Sequence, residues 1–219
     1  MPLAPRGVLF DLDGTLVDHF ATPYRCYHDT FAHFGLPPPD ESTVRRSVGG
    51  SMEITMAKLM PDAELRSAAA DWWRRHFEKI FLEDVHAFPG ALWILQELHQ
   101  RGLKLCVLTN KIGEQSRGIC AHLGFDSCLD FVLGAEDTPY RKPQRQFSEH
   151  ALERLGVNPS EAVLVGDSPH DIEAARSAGI RVMCVTTGTH SAEELHAAGA
   201  DGVYTDLFAL GKAVFGLKT

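Results

Sequence analysis

No stretch of the 219 residues approaches the roughly 18 uninterrupted apolar positions that a membrane-spanning helix needs. The segment Met1-Pro-Leu-Ala-Pro-Arg6 also lacks the basic-then-apolar order of an export signal. A soluble, cytoplasmic protein with no membrane partner is expected. Basic residues are in short supply too: 21 Lys and Arg stand against 29 Asp and Glu, for a formal charge of −8. The densest basic pairs, Arg45–Arg46, Arg74–Arg75 and Arg141–Lys142, are isolated, so no nucleic-acid partner is expected. The five cysteines, Cys26, Cys106, Cys120, Cys128 and Cys184, form an odd set without a C-x-x-C pair. Cys106 and Cys184 lie in apolar runs, and the set reads as free buried thiols in a reducing compartment. No H-x-x-x-H pair marks a zinc-binding helix, and there is no internal repeat or low-complexity tract.

What is present is the balance of a folded protein, 44% hydrophobic and 23% charged, long enough for one large domain or a core with an insert. Short Val-, Leu- and Cys-rich runs recur at residues 7–10, 103–108, 131–133, 162–165, 182–185 and 202–204. They are continuous rather than alternating, as strands covered on both faces are. Helical patterns lie between the later runs. One opens at Pro89-Gly90 and carries Leu92, Leu95 and Leu98 before Gly102; others run over residues 147–155 and 171–178, each stopped by a glycine. The alternation predicts an α/β fold, a doubly wound parallel sheet with helices on both sides. Residues 20–88 break the rhythm, with helical patterns over 20–34, 51–60 and 63–81 and no convincing strand. Trp72, Trp73 and Phe77 in the last of these are expected in the core of that insert. The expected organisation is an α/β core of residues 1–18 and 88–219 interrupted by a helical cap at 19–87.

The strongest local feature is Val8-Leu-Phe-Asp-Leu-Asp-Gly-Thr-Leu-Val-Asp18. A buried strand ends in two carboxylates, Asp11 and Asp13, and Gly14 permits a turn closed to other residues. Ligands of open parallel sheets bind at the carboxyl ends of strands, so both acids sit where chemistry is expected. Carboxylates crowded there call for a cation, and a few hard oxygen donors favour Mg²⁺. Three further pieces fall at strand ends in order. Leu108-Thr109-Asn110 offers a hydroxyl and an amide to a phosphoryl oxygen. Arg141-Lys142-Pro143 places an ammonium just before a helix, with Pro143 suited to its first turn. Val165-Gly166-Asp167-Ser-Pro-His-Asp171 adds two acids on one loop-to-helix turn.

With these four motifs in order, D-x-D-G-T, T-N, K-P and G-D-x-x-x-D, the sequence resembles the haloacid dehalogenase superfamily of aspartate-nucleophile phosphatases. The helical insert and the Pro89-Gly90 return are similar to the branch holding phosphoglycolate phosphatase and beta-phosphoglucomutase. The resemblance implies that Asp11 is the nucleophile and Asp13 the general acid and base. It implies Mg²⁺ held by Asp11, the backbone carbonyl of Asp13, and Asp167, with Asp171 a ligand directly or through water. Thr109, Asn110 and Lys142 then bind the transferring phosphoryl. Arg45 and Arg46, beside the Val48-Gly49-Gly50-Ser51 break, resemble the substrate-selecting loop of the cap, where Arg45 would meet a second anionic group. Arg145 replaces a proline common in relatives and is expected to bring a cation near the site. His19 and His170 are expected in solvent, and Asp18 at the hinge into the cap. The implied activity is Mg²⁺-dependent hydrolysis of a small phosphorylated metabolite, phosphoglycolate-like or a sugar phosphate, by a monomer or homodimer. A phosphomutase and a non-catalytic phosphate-sensing protein of the same fold are the alternatives.

Overall fold

The structure, a computed structural model, describes residues 4–47 and 52–218. Contacts divide the chain into two compact units, Met1–Asp18 with His86–Thr219, and His19–Val85. The larger unit is built on β1 (Gly7–Phe10), β4 (Lys104–Ile112), β5 (Phe131–Ala135), β6 (Ala162–Gly166), β7 (Arg181–Val185) and β8 (Gly202–Tyr204). They form one parallel sheet in the order β5-β4-β1-β6-β7-β8. All four residues of β1 and all five of β6 are buried, which explains their unbroken apolar sequence. The strand order reverses about β1, so β4 and β6 flank it and their carboxyl ends open onto a crevice.

Helices α5 (Ala91–Gln100), α6 (Gly113–His122), α7 (Arg145–Leu155), α8 (Pro169–Ala178), α9 (Ala192–Ala197) and α10 (Leu207–Phe215) complete this unit. One apolar cluster joins Phe147, Leu152, Leu155, Ile172 and Ala175 of α7 and α8 to Leu9, Leu108, Leu164 and Val182 of the strands. In α5 the buried stripe is Ala91, Ile94, Leu95 and Leu98, while Leu92 is exposed. Pro143 lies ahead of α7 rather than in its first turn, because Gln144 is the residue that caps the helix at Arg145. A two-stranded ribbon, β2 (Val17–Asp18) against β3 (His86–Ala87), pairs Asp18 with His86 where the chain leaves this unit and returns to it.

The smaller unit contains α1 (Ala21–His33), α2 (Glu41–Ser47), α3 (Met52–Leu59) and α4 (Ala63–Ile80). Asp40 starts α2: its carboxylate accepts from Ser42, from the Thr43 hydroxyl and from the Thr43 amide. Asp62 caps α4 on the amides of Glu64 and Leu65. The unit has its own core of Tyr27, Phe31, Val44, Met56, Trp73 and Phe77. Trp72 is outside that core: it stacks between the rings of His33 and His76, at centroid separations of 4.9 and 4.6 Å. One turn apart on α4, Trp73 and Phe77 take the inner face and leave Trp72 the rim. His19 is 4% exposed, not in solvent as expected, because its ring packs on Phe77 at 5.8 Å. The segment 48–51 lies outside the described residues.

Candidate active site

The first motif shapes its own turn. Beyond β1, the Asp11 amide donates to the Val165 carbonyl, and the Leu12 carbonyl then accepts from the amides of Thr15, Leu16 and Val17. Gly14 holds φ at 87°, and a Cβ there would meet Asp167 Oδ2 at 2.5 Å. Thr15 donates its hydroxyl to Asp167 Oδ1 at 3.1 Å. Gly14 and Thr15 therefore serve Asp167 on the neighbouring strand end. Two more glycines press on the same acids: a Cβ on Gly166 would meet the Asp171 carboxyl at 2.4 Å, and one on Gly188 would meet Asp167 Oδ2 at 1.7 Å.

Asp11, Asp167 and Asp171 each present a carboxylate oxygen within 4.8 Å of the others, and all three are buried. Lys142 reaches this cluster from the loop before α7. Its ammonium, on a residue 4% exposed, donates to Asp11 Oδ1 and to Asp171 Oδ1, both at 2.6 Å. The second oxygen of Asp171 accepts from the amides of Asp167 and Ser168 and from the Ser168 hydroxyl. This closes the capping box of α8 and fixes the carboxylate in one orientation.

One ammonium among three buried acids leaves excess negative charge. Burial, then the neighbouring carboxylate Asp171, pushes the Asp11 carboxyl up to about 6 against the pull of Lys142. Asp167 is raised well above the ordinary carboxylate range by burial and by Asp11 and Asp171. Burial works against the Lys142 ammonium, but Asp11 and Asp171 outweigh it and keep it protonated. A buried, all-oxygen, net-negative donor set fits a hard divalent cation.

Asp13 stands apart from the cluster. Its carboxylate is two-fifths exposed and lies 3.0 and 3.2 Å from the Lys111 ammonium, whose side chain is 11% exposed. The expectation for Asp13 as a ligand concerns its carbonyl; its carboxylate is not one of the three clustered acids. Lys111 carries no functional mark in the sequence; it sits on an irregular stretch of β4. Leu108 pairs with Leu133 but Ile112 pairs with Ala135, so two extra residues are taken up between them.

That bulge gives three consecutive side chains separate tasks. Thr109, 2% exposed, accepts the Lys111 amide on its hydroxyl oxygen at 3.2 Å, which leaves the hydroxyl proton to donate. Asn110 is not aimed only at a ligand: its amide donates to the Lys142 carbonyl at 3.0 Å and accepts the Lys142 amide at 2.8 Å. It latches the backbone that carries the buried ammonium. The other residues singled out in the sequence have these surroundings. His170 is exposed. Arg145 pairs with Glu149 one turn along α7 at 2.7 Å and brings no cation to the cluster. Within the helical unit, Arg45 donates to Glu41 at 2.7 Å and lies 3.8 Å over the Phe20 ring, while Arg46 is 3.5 Å from Thr43. All five cysteines are free and buried, and burial pushes the Cys26 and Cys120 thiols up to about 12. Among the described residues no helix is long and apolar enough to cross a membrane.

At the carboxyl ends of its central strands the sheet gathers three buried acids around the Lys142 ammonium, a donor set that could hold a cation, with Asp13 and Lys111 paired beside it. The profile of haloacid dehalogenase-like hydrolases matches residues 8–185, and the chain belongs to that family. It is 33% identical over 217 residues to the phosphoglycolate phosphatase of Rhodospirillum rubrum, covering 94% of this chain and 90% of that one. It is 30% identical over 183 residues to the phosphoglycolate phosphatase of Aquifex aeolicus, covering 84% and 85%. A crystal structure of a predicted phosphatase from Clostridium acetobutylicum superposes with a TM-score of 0.87 at 26% identity, over 98% of this chain and 100% of that one. The chain is a phosphatase.

Proposed function

We propose that the protein is a Mg²⁺-dependent phosphomonoesterase that works through an aspartyl-phosphate on Asp11, with a phosphoglycolate-like substrate. The observation that carries this reading is the division of four acids into a buried cluster, Asp11, Asp167 and Asp171, and a separate rim carboxylate, Asp13, each with its own lysine.

Asp11 attacks phosphorus from the end of β1, where its partners fix its direction before substrate arrives. Lys142 neutralises charge on the transferring phosphoryl group, and the Thr109 hydroxyl donates to one of its oxygens. Asp13 gives a proton to the leaving oxygen, then takes one from the water that hydrolyses the aspartyl ester. Asp11, Asp167 and Asp171 would hold Mg²⁺, together with the Asp13 carbonyl. When bound, the ion neutralises phosphoryl charge and polarises the phosphorus centre. The family names of the relatives support phosphoglycolate as the first substrate to try.

The metal reading fixes a pH dependence. The Asp11 and Asp167 carboxyls are both raised, so in metal-free protein they contribute most to stability on the acid side. That contribution is lost as pH rises through about 6 and the crowded acids ionise. Mg²⁺ binding to the ionised form reverses the loss. Below about pH 6 the ion must displace protons, and its affinity is expected to fall by up to roughly tenfold per pH unit for each proton released. Calorimetric titration of Mg²⁺ between pH 5 and 8 checks this, and a flat affinity would place the ion elsewhere. The substrate reading is tested by phosphate release with Mg²⁺ across phosphoglycolate, sugar phosphates, nucleoside monophosphates and pyrophosphate. Phosphoglycolate is expected to lead in kcat/KM by at least about tenfold, roughly 1.4 kcal/mol of transition-state binding. A flat panel would overturn it.

A further inference from the structure

The Lys111–Asp13 pair lies outside the cluster of Asp11, Asp167 and Asp171, and the four motifs give it no task. We infer that Lys111 is a positioning residue that holds the Asp13 carboxyl at the leaving-group oxygen and away from the metal cluster; this rests on the function proposed above. Asp13 is two residues from Asp11, so a free fourth carboxylate would be drawn toward any cation the cluster holds. Lys142 cannot prevent this, since its ammonium is taken up by Asp11 and Asp171 at 2.6 Å each. Lys111 stands 3.0 and 3.2 Å from the two Asp13 oxygens, within hydrogen-bond reach of both.

The backbone beneath Lys111 is built to keep it there. Its amide donates to Thr109, and its carbonyl lies against Gly134, where a Cβ would come within 2.5 Å. The Gly134 amide is in turn held by Asp137 at 2.9 Å, and Asp137 by Arg117 at 2.8 Å. The side chain thus leaves a fixed point on the bulge of β4 and ends at Asp13, largely out of solvent.

In the phosphoryl-transfer step an Asp11 oxygen forms a bond to phosphorus and the bond from phosphorus to the leaving oxygen breaks. The electron pair stays on that oxygen, which takes the proton of the Asp13 carboxyl. Donation leaves Asp13 as a carboxylate, and Lys111 is already placed to receive it. The step that depends on Lys111 is therefore protonation of the leaving group, not phosphate binding.

Leaving groups separate these roles. An alkyl phosphate needs the proton, whereas 2,4-dinitrophenolate leaves without one. Lys111→Met is expected to lower kcat/KM for phosphoglycolate by about tenfold to a hundredfold and for 2,4-dinitrophenyl phosphate by no more than about threefold. Lys111→Arg, which keeps two donors toward Asp13, is expected to restore most of the loss. If Lys111→Met does not fold, as judged by circular dichroism, Lys111→Gln is expected to show the same leaving-group bias in smaller degree. Equal losses on both esters, or none on either, would overturn the inference while the phosphatase reading stood. A wild-type protein that turns over neither ester with Mg²⁺ would instead sink that reading.

Discussion

Asp11→Asn is expected to lower turnover of p-nitrophenyl phosphate by about 10⁴-fold or more while leaving the fold intact. The amide has nearly the shape of the carboxylate but is a far weaker nucleophile toward phosphorus. The structure also says why the fold should survive. The substitution removes one of three buried acids and leaves Lys142 with Asp171 as its partner at 2.6 Å. It thereby relieves the crowding that pushes the Asp167 carboxyl up. In chelator at neutral pH the variant should unfold at the same temperature as the wild type or higher. Activity within tenfold of the wild type would remove Asp11 from the reaction. A lost near-ultraviolet circular dichroism signal would instead assign the loss to unfolding.

Lys142→Met is the change with the largest expected cost to stability. Its ammonium lies within hydrogen-bonding distance of both Asp11 and Asp171, and side-chain burial there leaves almost no water to replace it. Removing one partner of a buried ionic group leaves uncompensated charge at a cost of about 3–5 kcal/mol. Part of this is recovered if Asp11 and Asp167, already raised, take up protons. Denaturant midpoints in chelator should therefore show a deficit that grows from pH 5 to pH 8, and Mg²⁺ should reduce it. Catalysis should fall as well, by about 10² to 10³, since a preorganised charge on the phosphoryl group is lost. A variant within about 1 kcal/mol of the wild type in chelator at pH 8 would show that the cluster does not depend on this lysine.

Much of the core was legible because its chemistry is local. A strand buried on both faces is a short apolar run, and its carboxyl end announces itself by Asp11 and Asp13 followed by the turn-forming Gly14. The acids at Asp167 and Asp171 read the same way, being a strand end and a helix start. Lys111 was hidden because a lysine after Thr109-Asn110 looks like any solvated lysine. Only the register slip between Leu108 and Ile112 turns it inward, and a slip has no compositional mark. The second partner of Asn110, the Lys142 backbone, is invisible in the sequence because it lies 32 residues on. Gly188 carried no signal, since what it avoids is a carboxylate on another strand end. His19 and Trp72 exchanged their expected places. Histidine is read as polar and tryptophan as core, yet packing on Phe77 buries the first and the geometry of α4 leaves the second at the rim. Helices α6 and α9 leave little trace in the sequence because short helices with small and polar residues carry weak periodicity.

The position of β1 at the centre of the sheet bears on how the chain folds. Gly7 pairs with Lys104 on one side and with Ala162 on the other. The strand that delivers Asp11 is made before either neighbour, and must wait for about a hundred residues of chain on one side and about a hundred and fifty on the other. Until then it is an apolar ribbon with both edges open, the kind of segment that pairs with the wrong partner. The helical unit, residues 19–85, has an apolar core of its own that can form during that interval. Synthesis thus places a helical unit with a core of its own between the strand that carries Asp11 and the strands that finally enclose it.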